Sequence, residues 1–126
     1  MSLSSLSCRA FVSGCSGHHL TAEEREFFKS ASPWGLILFR RNVSERSQVK
    51  DLITEFKEVV GRADAPVLID QEGGRVQRLG PPHWRRYPAA QRYLEAARSD
   101  LSQAVDLVRL GARLIAHDLH ELRSEE

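Results

Sequence analysis

Acidic and basic residues flank a pair of glycines near the middle of this 126-residue chain. Asp70 follows the apolar run Val67 to Ile69, and Arg75 and Arg78 follow Gly73-Gly74. A carboxylate at the carboxyl end of a buried parallel strand points to the edge of an α/β sheet where ligands bind. The spacing leaves two interpretations open. One is a monosaccharide clamp, with a carboxylate acceptor beside a forked arginine donor. The other is an ion pair that only fixes a loop.

Three apolar runs predict the sheet that must position this cluster. They are Ala10 to Val12, Gly35 to Phe39 and Val67 to Ile69, and each is followed by turn residues or a polar segment. The run from Gly35 to Phe39 is typical of a parallel strand that is buried on both faces, and the other two runs also predict buried strands. Helical patterns alternate with them along the chain. The sequence therefore predicts an α/β fold of repeated βα units.

The helices between the strands have recognisable ends. Thr21 and Glu24 have the spacing of a capping box, which predicts a helix from there to about Lys29. Ser44 is the predicted cap of the next helix. One face of that helix carries the apolar residues Val49, Leu52, Ile53, Phe56 and Val60.

A long loop rich in glycine and proline is predicted from Gln71 to Pro88, before a short helix over Ala89 to Ala97. A longer helix is predicted to start near Leu101. Its apolar stripe fits a dimeric coiled coil. It also fits a helix that packs on a barrel, which the preceding βα units favour. The stripe consists of Leu101, Val105, Val108, Ala112, Ile115, Leu119 and Leu122.

Composition limits the classes of partner. The formal net charge is +1, and 41% of the residues are hydrophobic, as in an ordinary soluble domain. Neither a nucleic-acid surface nor a membrane span is expected. The segment Met1 to Ser7 does not have the pattern of a secretory signal, and Cys8 and Cys15 suggest reduced thiols, so we expect a cytoplasmic protein. No metal and no cofactor are expected.

The segment Val67 to Arg78, with the sequence VLIDQEGGRVQR, resembles the signature of glycoside hydrolase family 3, in its bacterial β-N-acetylhexosaminidase branch. Three other segments resemble the same family in the same order: LTAEEREFF at Leu20 to Phe28, PWGLILFRRN at Pro33 to Asn42, and GARLIAHDLHEL at Gly111 to Leu122. The resemblance covers nearly the whole chain. It implies the N-terminal three βα units of a (β/α)8 barrel, with residues 1–126 as one portion of a single catalytic domain.

The resemblance also implies a function. Family members of this branch remove terminal N-acetylglucosamine from peptidoglycan-derived glycans by a retaining mechanism. Asp70 would accept hydrogen bonds from hydroxyls of the bound sugar, and Arg78 would belong to the same binding set. Arg75 is a weaker candidate that would hold the loop or the Asp70 carboxylate. Glu72 is expected to be structural, and Asn42 is expected to support a loop at the mouth of the barrel.

Several segments of the family's barrel have no counterpart in these 126 residues. A complete barrel needs about 250 residues. After Leu122 the family continues with a fourth strand, where this chain has Arg123-Ser124-Glu125-Glu126. The family's nucleophilic aspartate and its acid–base histidine have no counterparts here. His117 and His120 stand on a helix and are expected to be solvated. No catalytic residue is therefore predicted, and we expect the 126 residues to be inactive alone, so that an enzyme assignment for this chain stays open.

Three hypotheses follow for the chain. It is part of a glycosidase that binds an N-acetylglucosamine-containing glycan, or a free-standing carbohydrate-binding or protein-interaction module derived from the barrel. The third hypothesis is an enzyme assembled with a complementing C-terminal part. Unpaired strand edges and inward-facing apolar side chains also predict self-association, with the stripe from Leu101 to Leu122 as one contact surface.

Overall fold

The structure, a computed structural model, describes residues 7–123. The prediction on a secretory signal in Met1 to Ser7 falls almost entirely outside this range, and so does the predicted departure at Ser124 to Glu126. The chain divides into two compact units, one up to Ile69 and one from Asp70 onward.

The first unit is an alternation of strands and helices. Strands β1, β2 and β3 form a parallel sheet in the order β1-β2-β3. Leu36 pairs with Val67, and Leu38 pairs with Ile69. The α/β prediction is confirmed at this level. The elements are β1 (Arg9–Ser13), α1 (Ala22–Ala31), β2 (Pro33–Leu38), a 3₁₀ turn (Arg40–Asn42), α2 (Arg46–Val60) and β3 (Val67–Ile69).

One face of this sheet is buried and the other is not. Leu36 and Leu38 are buried, as are Phe28 of α1 and Phe56 of α2, whose rings meet edge to face at 5.5 Å. Strand alternation places Val12 and Leu68 on the opposite face, where they are 41% and 39% exposed. The prediction that β1 and β3 are buried strands is therefore wrong for this face, and burial on both faces is wrong for β2, where Trp34 is 45% exposed. A continuous apolar run shows only which residues a strand contains. Its side chains are buried only where another layer of the protein packs on them.

The helix ends agree with the sequence at α1 and differ at α2. Thr21 and Glu24 form the predicted capping box, although α1 continues to Ala31 rather than ending near Lys29. At α2 the N-cap is Glu45, without a side-chain cap, so the predicted Ser44 cap is wrong. The reason is Gln48, whose side-chain oxygen accepts from the Ser44 amide at 2.8 Å and from its hydroxyl at 3.0 Å.

The second unit contains a hairpin and two helices. The elements are β4 (Gln71–Gly73), β5 (Val76–Gln77), α3 (Ala90–Ala96) and α4 (Leu101–His120). The antiparallel pair β4-β5 lies inside the predicted loop from Gln71 to Pro88, so that segment is more regular than its composition indicates. Positive φ at Gly73 (95°) and Gly74 (60°) lets the chain turn back on itself there.

The first half of the predicted stripe on α4 is exposed, as a contact surface for self-association requires and unlike a face that packs on a barrel. Within the predicted apolar stripe, Leu101 is 72% exposed, and Val105 and Val108 are nearly half exposed. The buried positions of α4 are Ala104, Gly111 and Asp118. A helix turns by about 100° per residue, so a shift of one position moves the stripe off the covered face. Small residues lie on the covered face of α4 because α3 approaches it closely. A Cβ at Gly111 would lie 2.2 Å from the Tyr93 hydroxyl.

Among the helices of residues 7–123, none has the combined length and apolar character of a membrane span.

Candidate functional site

The structure brings together two of the predicted site residues. Asp70 directly follows β3 along the chain, and Arg78 directly follows β5. The Arg78 Nη2 atom donates to Asp70 Oδ2 at 3.3 Å. The two side chains are 25% and 43% exposed, so solvent reaches both. The pair is therefore formed and accessible, as a ligand clamp requires and as a loop-fixing ion pair also allows.

Arg75 does not join this pair. It lies exposed in the turn between β4 and β5, and the ion-pair partner of Asp70 within residues 7–123 is Arg78. Of the two contacts predicted for Arg75, the one with the Asp70 carboxylate is wrong in this structure, because Arg75 lies exposed after the glycine turn. Its place in a sugar site stays a prediction. Glu72 is also exposed, on β4.

Two buried glutamines hold the backbone around Arg78, and the sequence analysis missed both. Gln71 Oε1 accepts from the amides of Arg78 and Leu79, each at 3.0 Å, and its Nε2 donates to the Leu79 carbonyl at 2.8 Å. Gln77 Nε2 donates to the carbonyls of Leu79 and Arg85 at 2.7 and 2.6 Å. A carboxamide can satisfy a backbone donor and a backbone acceptor together. These contacts give the loop a defined path without regular structure.

The glycine turn is packed against a later part of the same loop. The Gly74 amide donates to the Tyr87 carbonyl at 2.9 Å. A Cβ at Gly73 would lie 2.3 Å from the Pro88 carbonyl oxygen, and one at Gly74 would lie 2.8 Å from the Ala89 Cβ. Both glycines are therefore needed for space as well as for their positive φ.

Tyr87 and Asp118 form a buried polar contact that the sequence analysis also missed. The Tyr87 hydroxyl donates to Asp118 Oδ2, and both residues are at most 5% exposed. Burial, together with the hydrogen bond to the Asp118 carboxylate, raises the pKa of Tyr87 to about 12. Helical periodicity alone places Asp118 on a polar face beside His117 and His120. Those two histidines are exposed, as predicted.

In the first unit, Asn42 supports a loop as predicted. The residue is fully buried, and its Oδ1 accepts from the Phe39 amide at 2.8 Å. Its Nδ2 donates to the carbonyls of Cys15 at 3.1 Å and Gly17 at 2.8 Å, which belong to the loop after β1. Gln48 Nε2 continues this support by donating to the His18 carbonyl at 2.8 Å.

Cys15 carries a buried thiol that is less acidic than usual. Its side chain is buried, and burial, followed by the nearby Glu24 charge, raises the pKa of the thiol to about 11. Within residues 7–123, no three His, Cys, Asp or Glu side chains are grouped closely enough to hold a metal ion.

These observations place the chain in the class of α/β proteins with a parallel sheet. The first unit is a parallel α/β sheet, and a carboxylate–arginine pair follows its third strand along the chain. In such folds the loops after the strands carry the ligand site. The chemistry available is hydrogen bonding to a neutral polyhydroxylated ligand, with a carboxylate acceptor and guanidinium donors.

Comparison with known proteins gives the family. The chain is 39% identical over 105 residues to a β-hexosaminidase of Glaesserella parasuis serovar 5, covering 82% of this chain and 29% of that protein. It is also 39% identical over 115 residues to a β-hexosaminidase of Tolumonas auensis, covering 86% and 31%. No protein-family model matches the chain.

Solved structures agree with these relatives. The native NagZ of Neisseria gonorrhoeae matches with a TM-score of 0.79 and 28% identity, over 90% of this chain and 33% of that one. A glycoside hydrolase family 3 β-N-acetylglucosaminidase of a Paenibacillus strain matches with a TM-score of 0.70 and 28% identity, over 97% and 22%. The resemblance predicted from the sequence is confirmed: the chain corresponds to part of a glycoside hydrolase family 3 β-hexosaminidase. It spans about 30% of the length of the relatives named above.

Proposed function

We propose that this chain supplies part of the sugar-binding site of a β-N-acetylhexosaminidase that removes terminal N-acetylglucosamine from glycans. The observation that carries the proposal is the accessible Asp70–Arg78 pair, at 3.3 Å, within the segment that matches the family signature. Asp70 accepts hydrogen bonds from sugar hydroxyls. Arg78 orients the carboxylate, and its guanidinium group also donates to the sugar.

The class of ligand is supported by a relative. A NagZ of Neisseria gonorrhoeae was solved in complex with N-trifluoroacetyl-D-glucosamine, and the chain matches that structure with a TM-score of 0.78 and 28% identity. On this basis, the proposed ligand of the Asp70–Arg78 pair is a sugar of the N-acetylglucosamine type. Arg75 is a secondary member of the site.

The wider setting is part of the same proposal. The three parallel strands belong to a (β/α)8 barrel, and residues 1–126 form one portion of its catalytic domain. The reaction is retaining hydrolysis of peptidoglycan-derived glycans in the cytoplasm. Asp70 and Arg78 bind the sugar and do not break the glycosidic bond, so no catalytic role is assigned to either.

Loss of either partner should weaken sugar binding strongly. The test uses a chimera in which this chain replaces the matching segment of the Glaesserella parasuis β-hexosaminidase. Asp70→Asn and Arg78→Ala should each cost about 1.5–3 kcal/mol of binding, since each removes a charge-assisted hydrogen bond. That cost corresponds to a rise of about 10- to 150-fold in the inhibition constant of N-acetylglucosamine. Arg86→Ala, an exposed residue of the same loop, is the matched control and should change it less than twofold. Unchanged binding in both site variants would contradict the proposal.

A second candidate is a free-standing carbohydrate-binding or protein-interaction module, and the exposed stripe on α4 favours it. Leu101, Val105 and Val108 present apolar surface to solvent. We expect the chain to self-associate through this face, because each buried aliphatic side chain contributes about 1.5–3 kcal/mol. Light scattering should show that Val108→Lys lowers the mass toward the monomer. Leu110→Lys, on a different face of α4 and 55% exposed, should not. A monomeric parent chain would contradict this prediction.

A further inference from the structure

One residue connects three parts of the second unit. Tyr87 accepts from the Gly74 amide through its carbonyl at 2.9 Å, and its own amide donates to Gln77 Oε1 at 2.8 Å. Its hydroxyl donates to Asp118 on α4. Tyr87 therefore forms hydrogen bonds with the glycine turn, with strand β5 and with helix α4.

These contacts lead from α4 to the site by hydrogen bonds alone. Gln77 bonds the Leu79 carbonyl at 2.7 Å, and Gln71 bonds the same carbonyl at 2.8 Å. Gln71 also accepts from the Arg78 amide at 3.0 Å, and Arg78 pairs with Asp70. The path between the Asp118 carboxylate and the Asp70 carboxylate runs through side-chain and backbone hydrogen bonds, most of them buried, and ends in the part-buried 3.3 Å pair of Arg78 and Asp70.

The polar ends of Tyr87 and Asp118 are more than packing alone requires. A buried carboxylate is costly unless it is hydrogen-bonded, and an apolar pair of similar size would fill the same space. The hydroxyl–carboxylate bond adds a fixed direction between the loop and a twenty-residue helix. The raised pKa of Tyr87, about 12, keeps its hydroxyl a donor well into the alkaline range.

We propose that Tyr87 and Asp118 are positioning residues for the Asp70–Arg78 pair: their hydrogen bond anchors the loop from Gln71 to Pro88 on α4 and fixes the site. The inference rests on the proposed function for its link to sugar binding. Its structural part, the anchoring of the loop, can be tested without a ligand.

The first experiment measures amide hydrogen exchange in the full 126-residue chain. Tyr87→Phe should raise the exchange rates of the Gly74, Arg78 and Leu79 amides at least tenfold, and leave those of α2 unchanged. Asp118→Leu should do the same. Asp118→Asn retains an oxygen acceptor for the tyrosine hydroxyl and should stay within threefold of the parent. Unchanged rates at the loop amides in both Tyr87→Phe and Asp118→Leu would overturn the anchor, whatever the chain binds.

The second experiment measures hydrolysis of an aryl N-acetyl-β-glucosaminide by the chimera described above. Tyr87→Phe should raise KM about 5- to 30-fold with little change in kcat, whereas Asp118→Asn keeps an oxygen acceptor for the tyrosine hydroxyl and should leave KM near the parent value. Thr21→Ala removes the α1 cap in the first unit and is the control for a purely structural loss, so it should leave KM unchanged. Faster loop exchange with unchanged KM would overturn the positioning role when Asp70→Asn does raise KM. If Asp70→Asn leaves KM unchanged, the proposed function fails, and the anchor is judged on exchange alone.

Discussion

Replacing Gly73 by alanine is expected to destabilise the loop from Gln71 to Pro88 by about 3 kcal/mol or more. Two costs combine at this position. An L side chain at φ 95° costs about 1–2 kcal/mol, and overpacking costs about 1–3 kcal/mol. The added Cβ would meet the Pro88 carbonyl oxygen at 2.3 Å, and a backbone atom cannot rotate away as a side chain could. The turn would have to open, and Arg78 would lose its fixed place beside Asp70.

Native-state hydrogen exchange at the Arg78 and Leu79 amides measures this opening free energy directly. Gly61→Ala is the matched control, because Gly61 also has a positive φ (69°) but has no atom within 4 Å of its would-be Cβ. It should show only the conformational cost, about 1–2 kcal/mol, at the end of α2. A Gly73→Ala variant whose loop amides exchange as slowly as those of the parent would show that the turn tolerates a side chain.

Replacing Asn42 by alanine is expected to lower the free energy of unfolding by about 3–5 kcal/mol. The side chain is fully buried and bonds the Phe39 amide and the carbonyls of Cys15 and Gly17. Alanine would leave these three backbone groups without that partner. A buried group that loses its hydrogen bond costs about 1–3 kcal/mol, and some of this would be recovered if water entered.

Urea unfolding followed by far-ultraviolet circular dichroism measures this loss. Asn42→Asp should not rescue it, because a carboxylate cannot donate to the Cys15 and Gly17 carbonyls. Ser30→Ala removes an exposed hydroxyl bonded to the Phe27 carbonyl at 3.1 Å and should change stability by less than about 0.5 kcal/mol. Asn42→Ala with parental stability would mean that the loop after β1 is held by its other contacts.

The sequence predicted those features that depend on local chemistry. The capping box at Thr21 and Glu24 satisfies helix amides within one turn, so its spacing is sufficient evidence for a helix start. The three strands and the Asp70–Arg78 pair were also predictable, the strands from apolar runs and the pair from the signature segment. The position of the Arg75 side chain was not predictable, because the chain can leave a glycine turn in several directions.

The features that were missed depend on distant residues. Asp118 lies between two histidines on α4, and only the position of Tyr87, 31 residues earlier, explains its burial. The apolar stripe did not predict the covered face of α4 for the same reason. The close approach of Tyr93 to Gly111 decides which face is covered. Gln71 and Gln77 have side chains that are exposed in most proteins, so their type alone gives no indication that they organise a loop.

The carboxamides that hold the two loops have a consequence for working conditions. Gln71 and Gln77 support one loop and Asn42 and Gln48 support the other, and none of these groups gains or loses a proton between acid and alkaline conditions. Their bonds are also unaffected by the ionic screening that weakens an exposed charge pair. Salt should therefore act on the attraction between Asp70 and Arg78 while the surrounding framework keeps its geometry. Loops held in this way can keep their path over wide changes in ionic strength, because the carboxamide contacts involve no charged group.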